Sequence, residues 1–295
     1  MRSLYLALAC IFNCIAAFSQ IQEGEYSSSI HTIQFFEAGN QVGVPVIRLG
    51  GIGNLELHFD DLDANIKNIS YTYMLCNADW TPAMLSQFDY IKGFSQNRIT
   101  NYRVSSLAST RYVHYQALVP DRNCYPSRSG NYILKVFLNG DTSKLLFTRR
   151  MLVVDSKTNI AAQIQQPYNG LIFKTHQKVN FKVSLAPQLD IVNPYQQVSV
   201  SLMQNFRWDN MKSGLRPSFF SRTTIDYNTE ADAVFPAGKE FRWVDLRSFR
   251  FQSDRIAKVV SDSKSTDVFL KTDMERTQQR VNFYRDANGR YSIDV

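Results

Sequence analysis

The stretch that decides the fold is Tyr71-Thr72-Tyr73-Met74-Leu75-Cys76-Asn77-Ala78-Asp79-Trp80. Successive side chains of a strand point to opposite faces, and here apolar residues occupy both sets of alternating positions. The pattern therefore predicts a strand that is buried on both sides, as in the centre of a sheet. We expect the strand to end at Asp79-Trp80, because the following Thr81-Pro82 cannot extend a hydrogen-bonded ladder.

A short apolar segment follows this strand. Its large apolar residues lie at helical spacing for barely two turns: Met84, Leu85, Phe88 and Ile91. Gly93 is placed to end such a helix. The sequence therefore predicts a compact lid after the strand, formed by Phe88, Tyr90 and Phe94.

Trp80 has two possible roles at the end of the strand. It can anchor the core, with its ring buried and its indole N–H bonded to a backbone carbonyl. Alternatively, it can face a partner together with Tyr90 and Phe94, in an apolar patch larger than monomers usually expose. Because Trp80 ends an apolar strand, we expect it in the core, whereas Tyr90 and Phe94 are candidates for contact with a partner.

Short strands are predicted on both sides of the central stretch. They cover residues 30–36, 44–49, 55–59, 99–104, 112–118, 132–138 and 145–154. About eight short strands at roughly ten-residue spacing, with almost no helix, are typical of a two-sheet β-sandwich. The Gly-x-Tyr-x-x-x-Val run that starts at Gly130 is frequent late in immunoglobulin-like domains. Residues 21–155 are therefore predicted to form an all-β, immunoglobulin-like or fibronectin-like β-sandwich.

A glycine-rich run, Gly50-Gly51-Ile52-Gly53-Asn54, separates two of these strands. It superficially resembles a phosphate-binding loop, but no helix follows it and its spacing fits neither common nucleotide motif. We expect a hairpin turn here.

A linker near residues 155–159 precedes a second predicted β-sandwich, residues 156–295, with strands at 179–183, 198–202, 268–272, 281–283 and 291–293. It contains three aromatic-Arg-aromatic triplets: Phe206-Arg207-Trp208, Phe241-Arg242-Trp243 and Phe249-Arg250-Phe251. On a strand, each triplet would place two rings on one face and the guanidinium on the other. Solvated arginines outside an aromatic core are the more common arrangement. The alternative is a basic face toward an acidic partner, which makes Arg207, Arg242 and Arg250 candidate partner contacts.

Residues 1–20 have the features of a secretory signal peptide. Arg2 precedes an apolar stretch, and Ala17-Phe18-Ser19 fits a small-x-small cleavage site. The stretch is short for a membrane span and contains Asn13, so we expect cleavage rather than anchoring. No later segment offers the roughly 18 uninterrupted apolar residues of a transmembrane helix.

The composition argues against a nucleic-acid partner and against a fold held together by disulfides. The net charge is +7, but lysines and arginines are scattered singly, so we expect no nucleic-acid partner. The apolar content of 44% is sufficient for folded cores. After cleavage only Cys76 and Cys124 remain, too few for a disulfide framework. We expect a core thiol at Cys76 and an unrelated loop thiol at Cys124, although the sequence leaves their pairing open.

No set of residues predicts catalysis, a bound metal or another cofactor. The histidines are spread singly, without metal-ligand spacing: His31, His58, His114 and His176. His58 and His114 are expected to face outward from strands. The acidic run from Asp60 to Asp63 lacks the calcium-loop pattern and is expected to be a solvated turn with an Asx-turn. Neither a nucleophile elbow nor a Cys–His pair is present, so we expect no enzyme.

Four motifs in the first half of the chain carry a family resemblance. They are Phe59-Asp60-Asp61-Leu62, Cys76-Asn77-Ala78-Asp79-Trp80, Phe88-Asp89-Tyr90-Ile91-Lys92-Gly93-Phe94, and Ser129-Gly130-Asn131-Tyr132-Ile133-Leu134-Lys135-Val136, followed by Arg149-Arg150. In this order the chain resembles the plug-protein family of the bacteroidete type IX secretion system, strongly over residues 44–154 and more weakly beyond. The signature positions are Asp60, Cys76, Asp79, Trp80, Tyr90, Gly93, Phe94, Gly130, Asn131 and Tyr132.

This resemblance implies a function. Members of the family plug the outer-membrane translocon barrel from its periplasmic side while no substrate is engaged, so the expected partner is that barrel and the expected location is the periplasm. Members also continue beyond the length of this chain, so we expect the chain to be incomplete at its C terminus. The alternative is a secreted β-sandwich for glycan binding or adhesion, which would need Tyr90, Trp208 and Trp243 on one open surface.

Overall fold

The structure is a computed structural model that describes residues 23–230, 232–237, 241–250, 253–263, 265–273 and 287–293. The predicted signal peptide lies outside the described residues. The chain divides into two units, residues 1–155 and residues 156–295. Regular structure in both units is almost entirely β-strand, so the prediction of an all-β protein is confirmed.

The first unit is a sandwich of two sheets. Its described strands are β1 (Gly24–Glu25), β2 (Ile30–Glu37), β3 (Val46–Arg48), β4 (Leu55–Asp61), β5 (Ile69–Cys76), β6 (Ile91–Gly93), β7 (Asn97–Arg98), β8 (Asn101–Val104), β9 (Val113–Val119), β10 (Cys124–Pro126), β11 (Gly130–Leu138) and β12 (Leu145–Val154). A short helix, α1 (Gln87–Tyr90), precedes β6. One sheet has the order β1-β12-β11-β5-β7, with β3 parallel to β12, and the other has the order β2-β4-β9-β8. β6 and β10 form a separate two-stranded ribbon.

The central strand β5 forms as the sequence predicts. It lies between β11 and β7, and both of its faces are buried along almost its whole length. Tyr71 and Tyr73 are among the largest fully buried side chains. The strand ends earlier than predicted, at Cys76, because Asn77 begins a hydrogen-bonded turn.

Interlocking aromatic rings fill the core between the two sheets. Leu55, Leu57 and Phe59 alternate along β4 and are fully buried. The Phe59 ring stacks on Tyr115 of the same sheet at 5.2 Å between centroids. It also meets Phe147 of the facing sheet edge-on at 5.1 Å. Full burial of a large apolar side chain stabilises the fold by about 1.5–3 kcal/mol.

The glycine-rich run is not a hairpin turn, contrary to the prediction. β3 pairs in parallel with β12 in one sheet, whereas β4 pairs with β2 and β9 in the other. The run therefore carries the chain from one sheet to the other. Gly50 adopts a φ of +67°, which glycine reaches without steric cost.

The described part of the second unit is also built of strands. They are β13 (Thr158–Gln165), β14 (His176–Leu185), β15 (Phe219–Ser221), β16 (Thr224–Tyr227), β17 (Val234–Pro236), β18 (Ile256–Ser261) and β19 (Thr266–Leu270), with a short helix α2 (Pro194–Gln197) and a 3₁₀ turn (Trp208–Asn210). One sheet has the order β13-β14-β16-β15, with β17 beside β14, and β18 pairs with β19. Phe181 stacks on Tyr227 in the core of this unit, with 4.6 Å between the ring centroids.

Across the described residues, no helix combines the length and the apolarity needed to cross a bilayer.

Several strands predicted for the second unit do not form. Residues 198–202 contribute only an isolated bridge between Leu202 and Lys212, and residues 291–293 have no regular structure. The predicted strand at 281–283 lies outside the described residues. The triplets that begin at Phe206 and Phe241 are also not strands. Phe206 has a φ of +56°, in the left-handed region and outside the range of regular β-strands.

Candidate functional site

The sequence motifs converge on residues 77–96, which follow β5 and are termed the signature loop below. This loop contains α1 and β6 and packs beside β10 and β11. Most of the signature positions lie within the loop or on the strands that support it. The loop is therefore the candidate functional site.

A tight turn opens the signature loop. The Asn77 N–H donates to Thr81 O at 2.8 Å, and the Trp80 N–H donates to Asn77 O at 3.0 Å. Asp79 Oδ1 accepts from the Thr81 hydroxyl at 2.6 Å and from the Thr81 N–H at 3.0 Å. These bonds, the hydroxyl first, hold the pKa of Asp79 below its usual range. Asn131 Nδ2 donates to Asn77 O at 3.1 Å, which ties the turn to β11.

Trp80 is a core residue, as the first of its two interpretations requires. Its side chain is only 2% exposed. The guanidinium of Arg150, itself buried, lies over its ring at 4.5 Å from the centroid. The backbone of Trp80 adopts a φ of +66°, a conformation that typically costs about 1–3 kcal/mol for a bulky residue. Burial of the indole and its cation–π contact offset that strain.

Tyr90 does not face a partner, so this part of the prediction is wrong. Its ring is buried and meets the Tyr132 ring edge to face, with 6.1 Å between centroids. The Tyr132 hydroxyl donates to Arg128 O at 2.9 Å, and Arg128 Nε donates to Asp89 O at 2.9 Å. These contacts turn the end of α1 into the core and fasten it to the segment before β11.

Gly93 lies where only glycine fits. Its φ is +85°, and a Cβ at this position would lie 2.0 Å from Asn123 O. The same oxygen accepts from the Phe94 N–H at 2.6 Å. Gly93 is paired with Cys124 in the β6–β10 ribbon. The missing side chain is therefore what lets the two strands of the ribbon approach.

The signature loop presents large apolar side chains to solvent. Met84 is 91% exposed, Phe88 87% and Phe94 69%, and Leu85 is also exposed. The predicted lid is therefore wrong for Phe88 and Phe94, which do not pack inward. The helical spacing is misleading, because α1 has only four residues and Ile91 already begins β6. Phe94 stays a candidate partner contact.

The candidate arginines of the second unit do not form a basic sheet face. Arg207 is paired with Asp209 at 2.5 Å, and Arg242 with Asp273 at 3.0 Å. Arg250 is exposed in a bend. None of the three lies on a strand, so the alternative interpretation, a basic sheet face, is wrong. The preferred interpretation, with the rings in a core, is also wrong for Phe241 and Trp243, which are both exposed.

Cys76 and Cys124 are free thiols, and both are buried. Burial raises the pKa of Cys76 to about 11 and that of Cys124 to about 12. Because only the thiolate is a strong nucleophile, neither sulfur is suited to covalent catalysis at neutral pH. The prediction that Cys124 is a loop thiol is wrong, since it begins β10 and is fully buried.

The acidic run lies across the end of a strand: Leu62 and Asp63 form the exposed turn that was predicted, but Asp60 and Asp61 do not belong to it. Asp60 and Asp61 are the last residues of β4, and Asp61 is fully buried with Lys67 Nζ 2.7 Å from its Oδ2. Asp61 Oδ1 accepts from the Asp63 N–H at 3.2 Å, which is the expected Asx-turn. Asp60 instead binds His114 Nδ1 at 2.7 Å. No local pattern could reveal this contact, because the two residues are far apart along the chain.

A half-open cleft of about 630 Å³ lies at the side of the first unit. Its charged lining residues are Glu56, Arg98 and Asp121, and its lining contains neither histidine nor cysteine. Four side-chain amides also line it: Asn97, Asn101, Gln116 and Asn123. Within the described ranges, no three His, Cys, Asp or Glu side chains are grouped as metal ligands. The cleft therefore offers polar contacts but no recognisable nucleophile–base pair.

Comparison with known proteins identifies the first unit. Residues 30–155 match the family described as Type 9 secretion system plug protein 1st domain. A crystal structure of a hypothetical protein from Parabacteroides merdae is similar, with a TM-score of 0.85 and 28% sequence identity over 93% of this chain and 69% of that chain. A search of curated proteins found no match. Residues 30–155 of this chain are therefore identified as a first domain of the type 9 secretion system plug protein family.

Proposed function

We propose that the protein is a non-enzymatic plug, which blocks the outer-membrane translocon of the type IX secretion system while no substrate is engaged. The proposal places it in the periplasm, against the inner side of the outer membrane, with the translocon barrel as its partner. One observation carries the proposal: a loop built by the family motifs holds four large apolar side chains in solvent.

Several motif residues act inside the loop and fix its shape. Asp79 caps the opening turn, and Trp80 anchors that turn beneath Arg150. Gly93 lets β6 approach β10, and Tyr132 packs against the end of α1. The family motif therefore specifies the shape of the loop, which is what a docking surface requires.

The exposed side chains are unusual for a loop fixed in this way. A single exposed apolar residue is ordinary, but here Met84, Leu85, Phe88 and Phe94 occur on one hydrogen-bonded loop. Methionine and aromatic residues are enriched in protein interfaces, and charged residues border them. Lys92 and Arg128, both exposed on or beside the loop, would supply that polar border. This composition favours a protein partner with apolar pockets.

Blockage by such a protein is steric. The first unit is a two-layer sandwich with an interlocked aromatic core, so it keeps its shape when it seats against a pore. A contact centred on a few apolar side chains with a polar border can also release, because most of the binding energy of an interface comes from few residues. No covalent step is needed at any point.

The glycan-binding alternative is not supported by the positions of its aromatic residues. It requires Tyr90, Trp208 and Trp243 on one open surface, but Tyr90 is buried in the core of the first unit. Trp208 is partly buried in the 3₁₀ turn of the second unit. The aromatic platform that this function needs is therefore not formed.

The test is an affinity pull-down from native periplasm and outer membrane. The protein should recover one very large barrel protein, and the double variant Met84→Ser/Phe88→Ser should lose it. Removal of interface hot spots costs at least about 2 kcal/mol, or roughly 30-fold in affinity. Ile52→Ser is the matched control, because Ile52 is fully exposed on the loop between β3 and β4 and should not matter.

The possible outcomes test the plug function and the role of the signature loop separately. Recovery of soluble glycan-processing proteins only, with no barrel, would overturn the plug proposal. Equal recovery of the barrel by the double variant and by the unsubstituted protein would leave the plug function standing and would show that the signature loop is not its docking surface.

A further inference from the structure

The outer edge of β13, termed the β13 edge below, is a long strand edge without a partner in the described part of the chain. β13 stands at the end of its sheet and pairs with β14 through all eight of its residues. Among the described residues, its backbone makes no hydrogen bond on the side away from β14. The edge therefore offers a row of unpaired N–H and C=O groups to another strand.

The other strands at the ends of the three larger sheets are protected against such pairing. β1, β7, β8 and β15 have only two to four residues each. β2 is as long as β13, but a bulge between His31 and Gln34 interrupts its register. β13 has an unbroken register, and residues 158–166 contain neither a charged residue nor a proline. Short strands, bulges, charges and prolines are the usual means of keeping strand edges apart, so β13 is the end strand among them that stays open to a partner.

An apolar stripe accompanies the β13 edge. Residues directly opposite each other in an antiparallel pair project to the same face. Ile160 lies opposite Val183, and Ala162 lies opposite Phe181; both partners are buried in the core of the second unit. The stripe of Ile160, Ala162 and Ile164 therefore continues the core side of the sheet to its edge. It is uncovered there, since the two isoleucines are 59% and 66% exposed.

The sequence of β13 is complementary to itself. Ile160 and Ile164 lie two residues before and two residues after Ala162. When two copies pair antiparallel with Ala162 at the two-fold axis, Ile160 of each copy lies opposite Ile164 of the other. The ladder is then symmetric over residues 158–166, and it stops before Pro167, which has no N–H to donate. No charge faces another charge in this register, because these residues carry none.

We propose that the β13 edge is a dimerisation surface and that its partner is a second copy of this chain. Interfaces with two-fold symmetry use the same patch on both copies, which is what a self-complementary strand provides. Pairing joins the β13 sheets of the two copies into one continuous sheet and brings four isoleucines together on one face. Because the contact is small, the dimer forms reversibly and depends on concentration. The inference does not depend on the plug proposal, because β13 lies in the second unit and the signature loop in the first.

The first test is the molar mass of the purified protein, measured by light scattering over a range of micromolar concentrations. The mass should rise from that of one chain toward twice that value. Ile160→Lys/Ile164→Lys places like charges opposite each other and should weaken dimerisation at least about tenfold. Ile160→Lys/Ile164→Glu places a lysine opposite a glutamate in the same register, so this variant should dimerise again. Phe219→Lys, on the opposite edge of the same sheet and also exposed, is the matched control and should dimerise normally.

A cysteine at the symmetry axis gives a second readout. The two copies of Ala162 face each other in the proposed register, at a Cα separation that a disulfide can span. Ala162→Cys should therefore form a covalent dimer under mild oxidation. Ala161→Cys faces Gln163 of the other copy and should cross-link far less. Cys76 and Cys124 give little background, because both are buried.

Three results would overturn the proposal. One is the mass of a single chain at every concentration, together with no cross-linking of Ala162→Cys. Another is a dimer of Ile160→Lys/Ile164→Lys as stable as that of the unsubstituted protein, which would place the contact elsewhere. The third is equal weakening in the lysine–lysine and lysine–glutamate variants with equal cross-linking of both cysteine variants, which would show that β13 pairs in another register or with a strand of a different protein. The cysteine variants decide the matter even if a lysine variant fails to fold.

Discussion

At the scale of single residues, Gly93 gives the sharpest prediction. Gly93→Ala should destabilise the first unit by about 2–4 kcal/mol, because it combines a positive φ with a Cβ placed 2.0 Å from Asn123 O. Urea unfolding of Gly93→Ala and of the unsubstituted protein measures the difference in their free energies of unfolding. Gly53→Ala is the control, because open space surrounds Gly53. Similar unfolding midpoints for both variants would contradict the packing assigned to Gly93.

Asp79 gives a pH-dependent prediction. Its pKa in the folded protein lies below the usual 3.8, mainly through the Thr81 hydroxyl. Its contribution to stability is therefore present above pH 3.8 and is lost as the pH falls through the lowered pKa. In Thr81→Val the pKa of Asp79 should rise toward 3.8, as followed by carboxyl ¹³C shifts during an acid titration.

An internal control is available for that titration. Asp141 has a lowered pKa for the same kind of reason, a hydrogen bond from the Ser143 hydroxyl, and should not respond to Thr81→Val. An unchanged pKa for Asp79 in the variant would show that the turn is not held as described.

Sequence reasoning placed some residues correctly and missed others for identifiable reasons. Trp80 could be assigned to the core, although it reaches the core from the turn after β5 and not from the strand end that was predicted. Tyr90 could not, because the chain reverses at α1 and its ring reaches Tyr132 about forty residues away in sequence. The contact of His58 Nδ1 with His114 Nε2, at 3.1 Å, is equally non-local, so no spacing along the chain could reveal it.

At the scale of elements, we expect that removing the exposed side chains of the signature loop weakens binding to the partner but leaves the stability of the protein unchanged. Met84→Ser/Phe88→Ser should change the free energy of unfolding by no more than about 0.5 kcal/mol, because both side chains are almost fully exposed. Thermal unfolding of the purified double variant measures this. A large loss of stability would mean that these side chains pack in solution, and would remove the argument that they are held for a partner.

Periodicity was reliable for the strands of the first unit and unreliable for the short helix. β5 and β12 could be read from their runs of apolar residues, because strands of this length show their pattern over several residues. α1 has one turn, too short for a periodic signal to be distinguished from chance. The glycine-rich run was recognised as a turn, but its local sequence cannot show which sheets it joins.

At the scale of the whole molecule, the all-β class followed from many short strands and turns, which is a property of the entire chain. The second unit was harder to predict, because the aromatic-Arg-aromatic triplets that begin at Phe206 and Phe241 look like strand patterns and instead form turns and irregular segments. Left-handed backbone at Asn205 and Phe206 breaks the alternation there. Such local conformations depend on packing that the sequence alone does not express.

The most direct test of the plug account is the conductance of the purified translocon barrel in a planar lipid bilayer, with the protein added on the periplasmic side. The account predicts that the unsubstituted protein lowers the open-channel conductance to the closed level, whereas Met84→Ser/Phe88→Ser at the same concentration leaves the channel open. An open channel at saturating concentrations of the unsubstituted protein would contradict the account.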